Sequence, residues 1–345
     1  MSTKLKSALL IIFAVLLTTF SFYFWQIFRT PNLQVGENDG EFALLIPRGA
    51  TYETVLDSLK KHEVINDQMS FRFVAKMMKY PELVKYGRYV ITPEMTNYEA
   101  IRKLRAGAQD PVKVTFNNIR LKDDLVTRLG SKFAFGPGPL GRLLNDPSVT
   151  EKYGFDTTTV MCMFLPNTYE FFWTITPEAF LDRMGREYKK FWTDERKARA
   201  KAMNLSQTQV QVLASIVEAE TKKNDEKPRV AGVYYNRLQK GMLLEADPTL
   251  VFAHRDFSIR RVLNRHKQID SPYNTYRFKG LPPGPINLPT LSSIDAVLNH
   301  ETHEYLYFVA RADFSGYHTF AKTYAEHLAN ARIYQQALTQ RGIMQ

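Results

Sequence analysis

The 22 residues from Ser7 to Phe28, SALLIIFAVLLTTFSFYFWQIF, carry no charged side chain. At about 1.5 Å per residue a helix of this length reaches roughly 33 Å, enough for the hydrocarbon core of a bilayer. Lys4 and Lys6 precede the run, and Phe22, Tyr23, Phe24 and Trp25 form an aromatic belt at its far end. A cleaved signal peptide has an apolar stretch of about 7 to 15 residues and a small-x-small cleavage site. This run is longer and ends in aromatic residues. The expectation is a retained transmembrane helix over 7–28 with a cytoplasmic tail over 1–6. Everything after Arg29 then lies on the far side of the membrane, although Arg29 itself opposes that orientation. No other stretch is long and apolar enough to span.

The remaining chain is a folding sequence. Of 345 residues, 44% are hydrophobic and 23% charged, which excludes global disorder. The net charge of +11 favours acidic partners: nucleic acid, anionic lipid or a carboxylate-bearing polymer. The basic residues are dispersed and match no nucleic-acid-binding motif, so no nucleic acid is expected. A lone cysteine, Cys162, excludes an intramolecular disulfide and a Cys-rich zinc site. The seven histidines show no HExxH or comparable spacing, so neither a metal nor another cofactor is expected.

After the anchor the sequence repeats itself. Pro47 to Val55 and Pro93 to Ile101 both fit P-x4-Y-E-x-[VI], each after a short apolar run, Phe42 to Ile46 and Tyr89 to Ile91. Each precedes a helical period, and Thr96 with Glu99 has the spacing of a capping box. A looser third copy runs from Val112 to Leu129. A strand, a turn and a capped helix are too small to be stable alone and must pack together. The character is that of a LysM-type glycan-binding module over 31–110, or of a plain α+β spacer. Residues 111–204 read as a linking α+β region. Within it Gly136 to Pro139 reads as a turn or loop, Met163 to Trp173 as an aromatic core edge, and Pro177 to Met203 as one long basic amphipathic helix.

The chemistry-bearing residues lie in 205–345. Ser206 is a plausible N-cap for a helix through Val210 to Lys222. Glu218 and Glu220, two residues apart, point to nearly opposite sides at about 100° per residue. On that wheel Glu220 falls between Ile216 and Val217, about 20° from Leu213, on the apolar stripe. Glu218 falls beside Gln211, Ala214, Ser215 and Lys222, on the polar side. An acid on an apolar stripe is costly to bury as an anion, so its pKa rises, which suits a general acid. Lysozyme's acid is the established example. A buried glutamate paired with an arginine for structure is the competing reading of Glu220.

A second helix starts at Pro228, carries Val230, Val233, Tyr234, Arg237 and Leu238, and stops at Gly241. Asp247-Pro248-Thr249, Ser271 to Tyr276 and Gly280 to Ile286 follow, the last too Pro-rich for a helix or central strand and so a rigid loop; rigid loops bearing Tyr, Asn and Thr suit sugar hydroxyls, and plain turns without a ligand are the alternative. Tyr305 to Ala310 and His318 to Phe320 read as paired strands, closed by a helix over Tyr324 to Leu338.

LASIVEAET (213–221), NRL (236–238), ADPT (246–249), SPYNTY (271–276), GLPPGPI (280–286), YLYFVA (305–310) and HTF (318–320) occur in that order. Together with the anchor and the LysM-like region, this pattern resembles the endolytic murein transglycosylases of bacterial inner membranes. The resemblance implies an α+β protein with a single N-terminal transmembrane helix, LysM-like βα modules and a mixed α+β catalytic domain. It also implies that the second glutamate of the motif, Glu220, is catalytic, in agreement with the wheel. The family often has Gln-Thr before Asp-Pro-Thr, where this chain has Glu245-Ala246. The implied reaction cleaves between N-acetylmuramic acid and N-acetylglucosamine, leaves a 1,6-anhydro end, and needs no second carboxylate. Asp247 is expected to cap or orient the loop around Pro248, or to bind a sugar hydroxyl, and would be the second carboxylate of a hydrolase. Asn236, Thr249, Tyr273, Asn274 and Thr275 are candidates for lining the groove, with His318 as a further candidate or a paired structural residue. Expected partners are peptidoglycan strands and the inner membrane, with peptidoglycan synthases or division proteins as candidates. A muramidase-type hydrolase and a non-catalytic wall-binding scaffold are the alternatives.

Overall fold

In a computed structural model that describes residues 3–34, 40–117 and 119–342, the first element is helix α1 (Thr3–Arg29). Among the described residues its stretch from Leu5 to Arg29 is the one helix long and apolar enough to cross a membrane. Large apolar side chains such as Leu10, Phe13, Leu16 and Phe20 are exposed along it, as lipid contact would require.

The chain divides into two units. The first comprises residues 1–113, 132–134 and 170–175. Here β1 (Phe42–Ile46), α2 (Tyr52–Lys61), α3 (Gln68–Met77), β2 (Gly87–Ile91) and α4 (Asn97–Ala106) enclose one core. The two sequence repeats account for most of it. Their strands pair antiparallel, Phe42 opposite Ile91 and Ile46 opposite Gly87. Their helices both start in capping boxes, Thr51 with Thr54 and Thr96 with Glu99. Leu44, Val55, Leu59, Tyr89, Ile101 and Leu104 are buried together. A buried amide knot ties the segment after α1 into this core. Asn32 Nδ2 donates to Asn97 Oδ1 (2.8 Å) and to Ser70 Oγ (3.2 Å).

The second unit comprises residues 114–131, 135–169 and 176–345. Strand β3 (Val112–Thr115), whose last two residues belong here, pairs with β4 (Thr168–Phe171), whose first two do, and α5 (Lys122–Gly130), α6 (Pro137–Leu144) and the short α7 (Pro147–Thr150) lie between them in sequence. The Gly136-to-Pro139 segment is not a loop throughout: Gly136 turns with φ 70° and Pro137 opens α6, where a missing N–H costs nothing. The aromatic stretch is core, with Phe164 stacked on Phe180 at 6.3 Å and Phe116 edge-on to Phe164 at 6.1 Å.

The expected long basic helix is two helices, α8 (Pro177–Phe191) and α9 (Asp194–Ala202). Trp192 leaves the helical region (ψ 73°) to sit fully buried, and Thr193 caps α9 through Arg196 N. Burial of the indole outweighs continuation of the period.

Next come α10 (Gln207–Glu220), α11 (Lys227–Gln239), α12 (Asp247–His254) and α13 (Leu291–Leu298). The antiparallel pair β5 (Tyr307–Ala310) and β6 (His318–Ala321) precedes the last helix, α14 (Tyr324–Gln340). Helix α10 is the axis of the unit. It is buried on every side from Val210 to Val217, including Gln211 and Ser215. Ser215 Oγ accepts from Ile286 N (3.0 Å), and Ser215 O accepts from Asn287 Nδ2 (2.8 Å). The Pro-rich Gly280-to-Ile286 loop is therefore seated against α10.

Candidate active site

Helix α10 begins at Ser206, whose hydroxyl accepts from Gln209 N while Gln209 returns a bond to Ser206 N. It ends at Glu220, because Thr221 turns to extended backbone. The catalytic candidate is thus the last residue of a rigid buried helix, where the carbonyl end of the helix dipole disfavours an anion.

Glu220 opens into a cavity of about 390 Å³ that also holds Tyr234, Arg237, Glu245, Asp247, Lys267 and Tyr276. The Tyr234 hydroxyl, from α11, donates to Glu220 Oε1 at 2.6 Å. Burial drives the Glu220 pKa up from 4.5 to about 7, the neighbouring charge of Asp247 adds to the rise, and the Tyr234 bond partly opposes it. Asp247, the first residue of α12, accepts from the Tyr276 hydroxyl at 2.6 Å. Burial and the bond to Asp247 raise the Tyr276 pKa strongly, so the phenol keeps its proton.

Arg237 ties the floor together. It donates to Leu306 O (2.7 Å), Leu243 O (3.0 Å), Leu244 O (2.9 Å) and Glu245 Oε2 (3.0 Å). Glu245 adopts a left-handed backbone (φ 53°), uncommon for a side chain of its size. Its N–H donates to Thr275 O, so the Glu245-Ala246 pair is locked to the Ser271-to-Tyr276 loop.

Glu218 faces a different environment. The wheel's opposition of the two glutamates holds, but the side bearing Glu218 is not solvated. Its carboxylate pairs with Lys227 Nζ (3.0 Å), which is 3% exposed, and accepts from Thr290 and Ser293. Burial alone would raise its pKa, but these donors outweigh it and hold the carboxylate below its usual value. Glu218 is a structural anchor for α11 and α13, so its replacement will not be silent.

Of the residues expected to line a groove, Asp247 shares the Glu220 cavity and five others serve the scaffold. Asn236 Nδ2 donates to His303 O (2.8 Å) and Tyr305 O (3.1 Å). Thr249 and Thr275 are fully buried, share a 2.8 Å hydroxyl contact, and satisfy Ala246 O and N. Asn274 is fully buried and donates to Lys267 O and Ile269 O. Tyr273 packs at a tilt against Phe252, with ring centroids 4.7 Å apart, and lines no part of this cavity. Apart from Tyr273, these polar side chains meet the backbone they must satisfy before they can meet a ligand. His318 is paired structurally, its Nδ1 lying 2.7 Å from Glu226 Oε2. Asp247 does not cap α12, whose N-cap is Ala246 without a side-chain bond.

Sequence reasoning missed the two tyrosines. Tyr234 lay unremarked on the helical period of α11, and Tyr276 sat at the end of a motif read for its Asn and Thr. A larger hollow of about 990 Å³ lies where α10 starts, around Lys189, Trp192, Lys201 and Ser206, and no carboxylate lines it. Among the described residues no group of three or more His, Cys, Asp or Glu is placed to hold a metal.

Residues 44–333 match the YceG-like family, which is most of the chain. The chain belongs to that family. It is similar to an endolytic murein transglycosylase of Bacillus subtilis, 29% identical over 303 residues that cover 82% of this chain and 81% of that one. It is also similar to an endolytic murein transglycosylase of Streptococcus pneumoniae, 25% identical over 87% of this chain. The match spans 60% of the streptococcal protein's length. Among solved structures, a YceG-like protein of Listeria monocytogenes superposes with a TM-score of 0.56 at 26% identity, over 84% of this chain and 98% of that one.

Proposed function

We propose that this chain is an endolytic murein transglycosylase in which Glu220 is the acid and then the base. The observation that carries the reading is a half-buried carboxyl fixed at a helix end, 2.6 Å from the Tyr234 hydroxyl and open to a cavity, where desolvation pushes its pKa up to about 7. Protonated Glu220 delivers its proton to the glycosidic oxygen between N-acetylmuramic acid and N-acetylglucosamine as the C1–O bond breaks. The C6 hydroxyl of the same muramyl residue bonds to C1 and gives its proton to the Glu220 carboxylate. Glu220 is restored, a 1,6-anhydro end is left, and no water is consumed. Because the nucleophile sits within the substrate, its effective concentration replaces a bimolecular step. Tyr234 orients the carboxyl and steadies its anion between the two proton transfers.

A hydrolase reading has one observation in its favour, since Asp247 lies in the same cavity. Glycosidases that use water pair two carboxyls about 5 to 9.5 Å apart. Against that role, Asp247 already accepts a short bond from Tyr276. In the proposed reaction its charge serves to raise the Glu220 pKa. A wall-binding scaffold would not need a strained acid.

Helix α1 is read as a single-pass inner-membrane anchor with a cytoplasmic N-terminus and a periplasmic catalytic unit. The strand–helix–helix–strand unit over 31–110 is read as a LysM-like glycan-binding module, and cleavage as terminating glycan elongation beside synthases or division proteins. The deciding experiment is mass spectrometry of fragments released from intact peptidoglycan by the chain and by its Glu220→Gln variant. Anhydro-ended fragments that vanish in the variant support the proposal. Reducing ends point to the hydrolase, and uncleaved but bound glycan points to the scaffold.

A further inference from the structure

The Glu220 cavity holds two basic side chains of the Lys/Arg type, Arg237 and Lys267, and the fold treats them oppositely. Arg237 is 7% exposed and engages three backbone carbonyls and the Glu245 carboxylate. Its charge is fully used by the protein. Lys267 has no carboxylate within ion-pair distance among the described residues. Its Nζ lies 4.4 Å from the centroid of the Tyr276 ring. A half-buried ammonium over an aromatic face has lost part of its hydration and gained only a weak partner.

The position of Lys267 is nevertheless built. Its carbonyl accepts from the buried Asn274 Nδ2 (2.9 Å), and its N–H donates to Asn264 O (3.2 Å). Asn274 Oδ1 accepts from Tyr276 N (3.0 Å), and the Tyr276 hydroxyl is bound to Asp247. One fully buried asparagine thereby fixes the backbone of the free cation and of the tyrosine beneath it. The acidic groups of the cavity are Glu220, Glu245 and Asp247, and with Arg237 committed to the fold Lys267 is the cavity cation left to meet an anionic ligand.

We propose that Lys267 forms a carboxylate-binding subsite that takes the anionic group borne by the muramyl residue whose bond Glu220 protonates. This rests on the murein-cleaving reading above and extends it. The two sugars of the strand differ by the lactyl substituent, so reading its charge sets which of the two alternating bonds meets the acid. The shared chemistry is one carboxylate near the muramyl ring, from the lactyl group of a peptide-free strand or from an attached peptide. A single ammonium suits one carboxylate, whereas a phosphate would call for several donors.

The test uses the full chain in detergent micelles with four substrates. These are peptide-free glycan strands, peptide-bearing strands, and each of them with its carboxylates converted to neutral amides. The readout is kcat/KM by release of fragments. Wild type should prefer the charged over the amidated form by roughly tenfold, the value of one charge-assisted contact. The arm showing the preference identifies the lactyl or the peptide carboxylate as the group bound. Lys267→Met should lose the preference, and Lys267→Arg should keep most of it, which separates charge reading from a folding defect. Equal cleavage of charged and amidated strands by wild type, or a preference that survives in Lys267→Met, overturns the subsite while leaving the cleavage reading intact. A wild-type chain that cleaves none of the four overturns the cleavage reading and the subsite with it.

Discussion

Replacing Glu220 by Gln should abolish cleavage and, above neutral pH, make the protein more stable. Burial, helped by Asp247, holds the carboxyl pKa at about 7 against 4.5 for an ordinary glutamate. Between those values the folded chain keeps a proton that the unfolded chain has released. Wild-type stability therefore falls as pH rises from about 4.5 to about 7 and is level beyond that range. The difference, about 7 minus 4.5 or roughly 2.5 pH units, corresponds to about 3 kcal/mol at full effect. Water entering the cavity screens the charge and reduces the gain to roughly 1 to 3 kcal/mol. Glutamine has nearly the same size, cannot ionise, and keeps an oxygen that can accept from Tyr234. Thermal melts of both full chains in detergent, from pH 4.5 to 8.5, provide the assay. The melting temperatures should coincide at the acid end. The variant should melt roughly 2 to 12 °C higher at pH 8, at about 2 to 4 °C per kcal/mol for a unit of this size. A difference that does not change with pH, or one that appears only at the acid end, would refute the account of Glu220 as an acid held against its preferred ionisation.

Three further outcomes follow from the same geometry. Tyr234→Phe removes the donor that favours the Glu220 anion, so the alkaline limb of kcat/KM against pH should move up by about one unit; an unmoved or lowered limb contradicts the role given to Tyr234. Asp247→Asn removes a charge that raises the Glu220 pKa, so the same limb should move down while the fragments keep anhydro ends; a switch to complete inactivity would instead make Asp247 a direct participant. Glu218→Ala leaves the ammonium of Lys227 buried and unpaired, and should cost roughly 3 to 5 kcal/mol of stability, read as a lowered melting temperature; an unchanged melt would show that the pair does not hold α10 to α11 and α13.

Local rules found most of the elements because most elements obey local rules. The capping boxes at Thr96 and Ser206 lie where residue type and spacing place them. The β1–β2 and β5–β6 strands likewise follow their apolar runs. The break at Trp192 was not legible, since the period runs through it and only tertiary burial of the indole decides. Helix α12 was hidden for a related reason: Asp-Pro-Thr reads as a turn, yet a proline in the first turn is as much a helix start. The site was half legible. Periodicity and resemblance both pointed to Glu220, which the fold sets beside a cavity, whereas several polar residues expected to meet a ligand are engaged by the buried backbone. Thr249, Thr275 and Asn274 are satisfied within the fold. Tyrosines on an apolar period look like core, and whether a phenol meets a carboxylate depends on two helices whose approach no single-helix pattern encodes.

Glu218 and Glu220 show how one helix end supports two opposite carboxylates. Both sit in the last turn of α10, so both feel the same unfavourable dipole and both leave bulk water. Being two residues apart sends them to different neighbours. Glu218 meets a buried ammonium and two hydroxyls from α13 and its cap, and is held as an anion. Glu220 meets one phenol and the field of Asp247, and is held near neutrality. The first makes the second possible: Glu218 bonded to Lys227 fixes the start of α11, and the same helix carries Tyr234 two turns later. An isolated carboxyl can be pushed to a pKa near 7 by burial, but keeping it aimed at a substrate while it gains and loses a proton requires that its neighbours do not move. The Glu218–Lys227 pair ties these helices together, and the role proposed for Glu220 depends on that anchoring.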